Sequence, residues 1–299
     1  MILITGATGT VGSEIVRQLA AREIPVRAVT RDPARAQAPE GVEVVRGDYG
    51  DAASMAAAMT GAEAVFLVGV LGPDDVETDR ALIATARAAG VRRIVKLSAI
   101  GTGEPDLGRV GTWHLPGEQA ARASGLEWTV LRPSSFASNT LSWADPIRAG
   151  QPVPNLTGDG AQGVIDPRDV AAVAVEALLS AAHAGRTYTL TGSELLTAAD
   201  QAGALAAVLG HPIEVADIPE ELARQHMLAA GMSAEYIDGA LASQAYVRAG
   251  GNAVRTDDVQ GVLGRTPRTY ADWAATNADA FRVVPEPVAP GLARVEKQA

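Results

Sequence analysis

Met1-Ile2-Leu3-Ile4-Thr5-Gly6-Ala7-Thr8-Gly9-Thr10-Val11-Gly12 opens the chain with an apolar run followed by a glycine at every third position. A strand that stops at Thr5 and a helix that starts near Thr10 leave a tight turn, in which Gly6 takes a backbone conformation closed to other residues. Gly9 lets the main chain approach a ligand closely, and Gly12 lets the new helix pack against the sheet. The start of that helix presents bare N–H groups and a partial positive charge to an anion. Glycine triplets also serve ordinary turns, so the meaning of this one depends on what surrounds it.

What surrounds it is a repeat of strand and helix. Apolar runs predict strands at Ile2–Thr5, Pro25–Thr30, Val42–Arg46, Ala64–Val68, Arg93–Ser98 and Trp128–Arg132. Ala-rich stretches predict helices at Val11–Ala21, Ala52–Met59, Asp75–Ala89 and Pro116–Ala123. The strands lack strict alternation, as expected where helices cover both faces of a parallel sheet. The pattern is that of a doubly wound α/β fold. After Arg132-Pro133 the regularity breaks at Pro146, Pro152, Pro154, Gly158 and Gly160. Asp166-Pro167-Arg168-Asp169 then starts a strong helix at Pro167–Leu179, with a capping Asp and Pro at the first helical position. A strand at Thr187–Thr191 and mainly helices follow, and the tail from Pro287 is expected to be loosely held. The expected division is a dinucleotide-binding domain at 1–135, to which 163–192 returns, and a substrate lobe at 136–162 and 193–299.

Composition narrows the function. The 299 residues are 47% apolar, ample for a core. A net charge of −10 with no basic run argues against a nucleic-acid partner. The chain has no cysteine, and His114, His183, His211 and His226 show no ligand spacing, so no metal site is expected. There is no basic leader and no run near the roughly 20 apolar residues of a membrane span, and a cytoplasmic location is expected.

In such a fold the anion at the first turn is a dinucleotide diphosphate, contacted by Gly6, Thr8, Gly9, Thr10, Val11 and Gly12. Val68 and Gly69, at the end of the fourth strand, are further candidates. An acid at the end of the second strand grips the ribose of NAD, whereas a basic residue accommodates the 2′-phosphate of NADP. Here Thr30 stands at the acid's place, and Arg31 with Arg35 can clamp a phosphate, so NADPH is the expected cofactor. The competing reading makes Arg31 a solvated side chain and Asp32 the cap of a short helix from Pro33. Asp48, after the third strand, either meets the adenine amine or begins a turn.

With these features in place, GATGTVG, Thr30-Arg31-Asp32-Pro33, Gly47-Asp48, Lys96-Leu97-Ser98, the His114-to-Glu118 spacing, Leu131-Arg132-Pro133, Asn139, Asp166-to-Asp169, Tyr188-Thr189-Leu190-Thr191-Gly192 and Pro267-Arg268-Thr269-Tyr270 resemble the NmrA-like group of atypical short-chain dehydrogenase/reductases. The resemblance runs from residue 1 to about 282. It implies a nucleotide-binding core and a small C-terminal lobe closing over the nicotinamide. It leaves activity open among quinone reductases, aromatic ketone reductases and regulators that bind the cofactor without turnover.

Most short-chain reductases donate a proton from a Tyr whose pKa is lowered by a Lys four residues on. That spacing is absent. The only lysines are Lys96 and Lys297, and Tyr49, Tyr188, Tyr236, Tyr246 and Tyr270 are followed four positions later by Ala53, Gly192, Ala240, Gly250 and Ala274. The lysine-dependent route of isoflavone-reductase-like relatives is disfavoured by the position of Lys96 inside the fifth strand. His114 stands in the usual Tyr place and Glu118 in the Lys place, so His114 either supplies the proton, with Glu118 stabilising the imidazolium, or only caps and packs beside Trp113. Ser98 either polarises a substrate carbonyl or closes the strand through a backbone bond.

Positioned acid catalysis is worth roughly 10²–10⁴ in rate, about 3–5 kcal/mol of barrier. A reductase lacking the Tyr recovers this from an electron-poor acceptor, such as a quinone or a polycyclic aromatic ketone with its own phenol, and contributes mainly positioning. Phe136, Asn139 and Trp143 on one side and Met227 on the other are candidates for lining the ring, although Met and Leu at helical spacing also serve as plain core. Asp166, Arg168 and Asp169 are expected to cap and pair. The sequence therefore predicts an NADPH-dependent reductase of a quinone or polycyclic aromatic ketone, and the resemblance to the NmrA-like group implies a tailoring step in secondary metabolism. Its rivals are a cofactor sensor acting through a protein partner and a sugar-nucleotide epimerase, the latter opposed by the missing Tyr-Lys pair. The oligomeric state is not legible.

Overall fold

A computed structural model of the chain describes residues 1–69, 77–107 and 110–282. The expected helix start at Asp75 and the expected loose tail from Pro287 lie outside the described residues. The first half runs β1 (Ile2–Ile4), α1 (Thr10–Ala20), β2 (Val26–Thr30), β3 (Glu43–Arg46), α2 (Ala52–Met59), β4 (Ala64–Leu67), α3 (Thr78–Ala88), β5 (Arg93–Leu97), α4 (Leu115–Ala123) and β6 (Glu127–Pro133). There follow α5 (Ala144–Arg148), β7 (Val153–Asn155), α6 (Pro167–Leu179), β8 (Arg186–Leu190), α7 (Ala198–Leu209) and β9 (Val215–Asp217). The chain continues through α8 (Glu220–Ala229), α9 (Ala234–Arg248), α10 (Asp258–Leu263) and α11 (Tyr270–Thr276).

Seven strands form one sheet in the order β3-β2-β1-β4-β5-β6-β8, every pair parallel. Because side chains alternate across a strand, Ile2 and Ile4 pack with Ile15 and Leu19 of α1 and Val170 and Val173 of α6. Leu3 faces the other way, towards Met55 and Met59 of α2, Leu82 and Ile83 of α3 and Ala121 of α4. Each fully buried aliphatic side chain stabilises this sandwich by about 1.5–3 kcal/mol. The result is a Rossmann-like doubly wound fold whose strand order reverses between β1 and β4. Ligands of such sheets bind outside the carboxyl ends of the strands at that reversal.

At the start of α6, Asp166 accepts from the Arg168 amide at 2.8 Å and pairs with the same residue's guanidinium at 2.5 Å. Asp169 binds Arg265 at 2.6 Å and also Arg268. These residues cap and pair, as the sequence indicates.

Beyond β6 a second core gathers Trp143, Val153, Leu205, Tyr270, Trp273 and Phe281. The strands β7 and β9 pair in parallel, with Val153 opposite Val215. This pairing is absent from the sequence analysis, because three-residue strands far apart in the chain carry no local signal. A smaller cluster of Ala223, Ile237 and Leu241 joins α8 to α9. The helix α9 is continuous, and Gly231, at φ +80°, makes the break between α8 and α9. Among the described residues no helix is long and apolar enough to cross a membrane.

Candidate active site

The glycine turn lies at the carboxyl end of β1. Gly6 has φ +59°, and its carbonyl accepts from the Gly9 amide at 2.9 Å. A Cβ on Gly12 would fall 2.1 Å from the Gly6 oxygen, so only glycine allows the helix to start this close to the turn. Thr5 ties the two central strands together: its hydroxyl donates to the Phe66 carbonyl at 2.9 Å and accepts from the Val68 amide at 2.9 Å. Gly9 caps α1 without a side-chain bond, and no acid lies in the first turn. The first amides of α1 are thus left to an anion, with Thr8, Gly9 and Thr10 exposed and Val11 and Gly12 buried beneath. This glycine cradle and uncapped helix end fit a dinucleotide diphosphate.

At the nucleoside end, Arg31 and Arg35 are exposed on the turn after β2. Asp32 caps the short helical turn Pro33–Arg35 by accepting from the Ala34 amide at 3.2 Å. A crevice lined by Ala7, Thr8, Thr30, Ala36, Gln37 and Pro39 opens beside them. Asp48 begins a turn, accepting from the Gly50 amide at 3.0 Å. Val68 leans on Gly6, and a Cβ on Gly69 would lie 2.5 Å from Asp79 Oδ1.

That last contact leads to the most heavily charged part of the interior. Lys96 and Ser98 are two residues apart, so both point from the end of β5 towards α3 and α4. Lys96 and Asp79 are wholly buried and pair at 2.7 Å. The Lys96 ammonium also donates to the Leu97 carbonyl at 2.8 Å and lies 3.5 Å from His114 Nδ1. Gly117 makes room for the pair, since a Cβ there would lie 2.5 Å from both Asp79 Oδ2 and Lys96 Cε. Sequence reasoning set Lys96 aside for its place in a strand; the available signal was that a lysine between Val95 and Leu97 requires a buried carboxylate.

Next to it, Glu118 is also wholly buried. Its Oε1 accepts from Ser98 at 2.6 Å and from Arg132 Nε at 2.8 Å, and its Oε2 accepts from Arg132 and Arg122, each at 2.8 Å. Burial alone would raise this carboxyl, but hydrogen bonds from Arg132 and Ser98 and the charges of Arg132 and Arg122 bring it below the usual range.

Glu118 is engaged by two guanidiniums and does not hold an imidazolium at His114; burial first, then the Lys96 charge, pushes the His114 imidazole down to about 3, against the opposing pull of Glu118. His114 is therefore neutral at physiological pH. Ser98 is only 4% exposed; its hydroxyl donates to Glu118 at 2.6 Å and its amide donates to the Leu131 carbonyl at 2.7 Å, just past the end of β5.

On the substrate side, Phe136 is partly buried against the main core, Asn139 is exposed and donates to Ser135 Oγ at 3.2 Å, and Met227 packs on the α8–α9 cluster. Trp143 departs from its expected place: at 9% exposure it belongs to the second core, because α5 and α7 close over it. Trp113 stacks on Tyr236 at 6.2 Å, which brings α9 over the loop that carries His114. Among the described residues no group of three or more His, Cys, Asp or Glu can hold a metal.

Known proteins resemble this chain over most of its length. Residues 6–181 match the family described as NAD(P)H-binding. The chain is 43% identical over 283 residues to the (4-alkanoyl-5-oxo-2,5-dihydrofuran-3-yl)methyl phosphate reductase of Streptomyces griseus subsp. griseus, covering 94% of this chain and 99% of that protein. It is 37% identical over 288 residues to the NAD(P)H azoreductase of Xenophilus azovorans, with 94% and 99% covered. The NADPH complex of an Escherichia coli NADPH-dependent quinone oxidoreductase superposes with a TM-score of 0.81 at 27% identity, covering 92% of this chain and 99% of that one. The chain belongs to the NAD(P)H-binding family, within its NmrA-like atypical short-chain dehydrogenase/reductases. It is an NAD(P)H-dependent oxidoreductase, and reductases matched along nearly their whole length disfavour the sensor alternative.

Proposed function

We propose that this reductase takes hydride from NADPH in preference to NADH and delivers it to a small, electron-poor conjugated acceptor, a quinone or polycyclic aromatic ketone, in a tailoring step of secondary metabolism. The observation that carries the proposal is the state of His114: partly exposed at the start of α4, neutral, and beside the carboxyl end of β5. A neutral imidazole donates a hydrogen bond but is a weak acid, which suits acceptors whose conjugation already stabilises the developing oxyanion. The acceptors in the names of the relatives, a furanone, an azo compound and a quinone, share such conjugation. Bound NADPH supplies the hydride.

The protein's own part is positioning. The amides of Thr10, Val11 and Gly12 hold the diphosphate, and Arg31 with Arg35 receives the 2′-phosphate. The acceptor lies between the nucleotide-binding part, 1–135 with 163–192, and the lobe formed by 136–162 and the residues from 193. Phe136 and Asn139 border it, and the Trp113–Tyr236 stack limits access of water.

NADPH and NADH oxidation measured against naphthoquinones, hydroxyaryl ketones and an acyl-furanone phosphate tests the acceptor class; consumption with none of them defeats it. Arg31→Ala raises the dissociation constant for NADPH by about tenfold, the loss of one charge-assisted bond of about 1.5 kcal/mol or more, and leaves NADH binding nearly unchanged. Equal weakening of both removes the clamp.

A further inference from the structure

We infer that Lys96, itself held by Asp79, is a positioning residue that fixes His114 as the Nε2–H tautomer, so that a neutral N–H donor faces the acceptor. The inference rests on the donor role given to His114 above. An ammonium has three N–H donors and no acceptor. At Lys96 three acceptors surround it: Asp79 Oδ2 at 2.7 Å, the Leu97 carbonyl at 2.8 Å and His114 Nδ1 at 3.5 Å. A nitrogen that faces an ammonium at that distance presents its lone pair, so the one proton of the neutral ring sits on Nε2. Among the described residues no group hydrogen-bonds Nε2.

The surroundings are built for this contact. Gly69 and Gly117 each leave a space that a Cβ would close to 2.5 Å from an Asp79 oxygen. A buried ion pair is weak as a source of stability, since apolar residues of similar volume often do as well or better. Its presence under a partly exposed histidine therefore points to orientation. Among the described residues, the charges acting on His114 are those of Lys96 from β5 and Glu118 from its own helix. Glu118 is saturated by Ser98, Arg122 and Arg132, which leaves Lys96 to set the ring.

The test removes the pair together, Lys96→Met with Asp79→Leu, so that no buried charge is left alone. In histidine-labelled protein the nitrogen resonances of His114 are assigned by their loss in His114→Gln. The wild type shows a protonated Nε2 and a lone pair on Nδ1. The double variant shows a mixture of tautomers, titration nearer the ordinary value of about 6.5, and a kcat lower by about tenfold or more with KM changed less than about twofold. A second variant, Lys96→Arg, retains the positive donor and restores the Nε2–H signature. A proton on Nδ1 in the wild type overturns the inference, as does an Nε2–H signature and titration unchanged in the double variant. A shifted tautomer with unchanged kcat overturns the donor role of His114 and leaves the tautomer assignment standing.

Discussion

Lys96 and Ser98 stand two residues apart on one face of β5, and each anchors a buried charge cluster under α4. Around Glu118 both carboxylate oxygens are engaged, by the Arg132 fork, Arg122 and Ser98, all at 2.6–2.8 Å. Among the described residues, a single carboxylate, Asp79, shares the Lys96 ammonium with a carbonyl and with an imidazole whose other nitrogen has no hydrogen-bond partner there. A bidentate guanidinium gives geometry as well as energy, so the first cluster fastens α4 to β6. The second has one group left over, and that group is partly exposed. Two neighbouring clusters of similar chemistry thus divide the work: the saturated one supports, and the unsaturated one is available for reaction.

The contrast can be broken first at its structural side. Glu118→Ala leaves Arg132 and Arg122 without their anion and costs about 3–5 kcal/mol, measured by urea denaturation; a loss below about 1 kcal/mol removes its supporting role. Next, His114→Gln lowers kcat about a hundredfold while the urea midpoint stays within the small range of a surface change; an unaltered kcat would leave positioning as the whole mechanism. A smaller effect is expected from Ser98→Ala, which loses one hydrogen bond to a charged group, about 1.5 kcal/mol of stability. Its kcat should change less than about twofold, and a hundredfold loss would return Ser98 to the reacting atoms.

A further effect appears only in acid. Folding holds the His114 pKa at about 3, below its unfolded value of 6.5. The stability contributed by the neutral ring is complete above pH 6.5. It is lost as the pH falls towards 3, because the unfolded chain takes up a proton that the folded one resists. His114→Gln removes this contribution and flattens the acid limb of stability between those two pH values. An identical limb in both proteins would mean that His114 titrates normally when folded.

Much of the frame was legible in advance. The expected strands of the main sheet agree with the structure to within one residue at either end, and α2 and α6 agree at both ends. Gly6 and Gly12 announced a turn whose backbone excludes other residues, and Asp166 announced its own cap. The lobe was harder: β7 and β9 pair across a long loop, and Trp143 looks equally apolar in a cleft or a core. At the site, Lys96 was seen but discounted, Asp79 went unnoticed, and Glu118 was given to His114 when Arg132 holds it.

From the amino-acid order alone came everything that short-range chemistry controls: apolar periodicity, glycine conformations, helix caps, and the anion-binding start of α1. The partners of the buried charges came only with the tertiary structure. Lys96 and His114 are 18 residues apart, Glu118 and Arg132 are 14, and Arg265 reaches Asp169 across 96. A charged side chain buried in a core must find an opposite charge or a hydrogen bond, but which one it finds depends on how α3 and α4 settle against β5 and β6. Local sequence states the need for a partner, and three-layer packing chooses it.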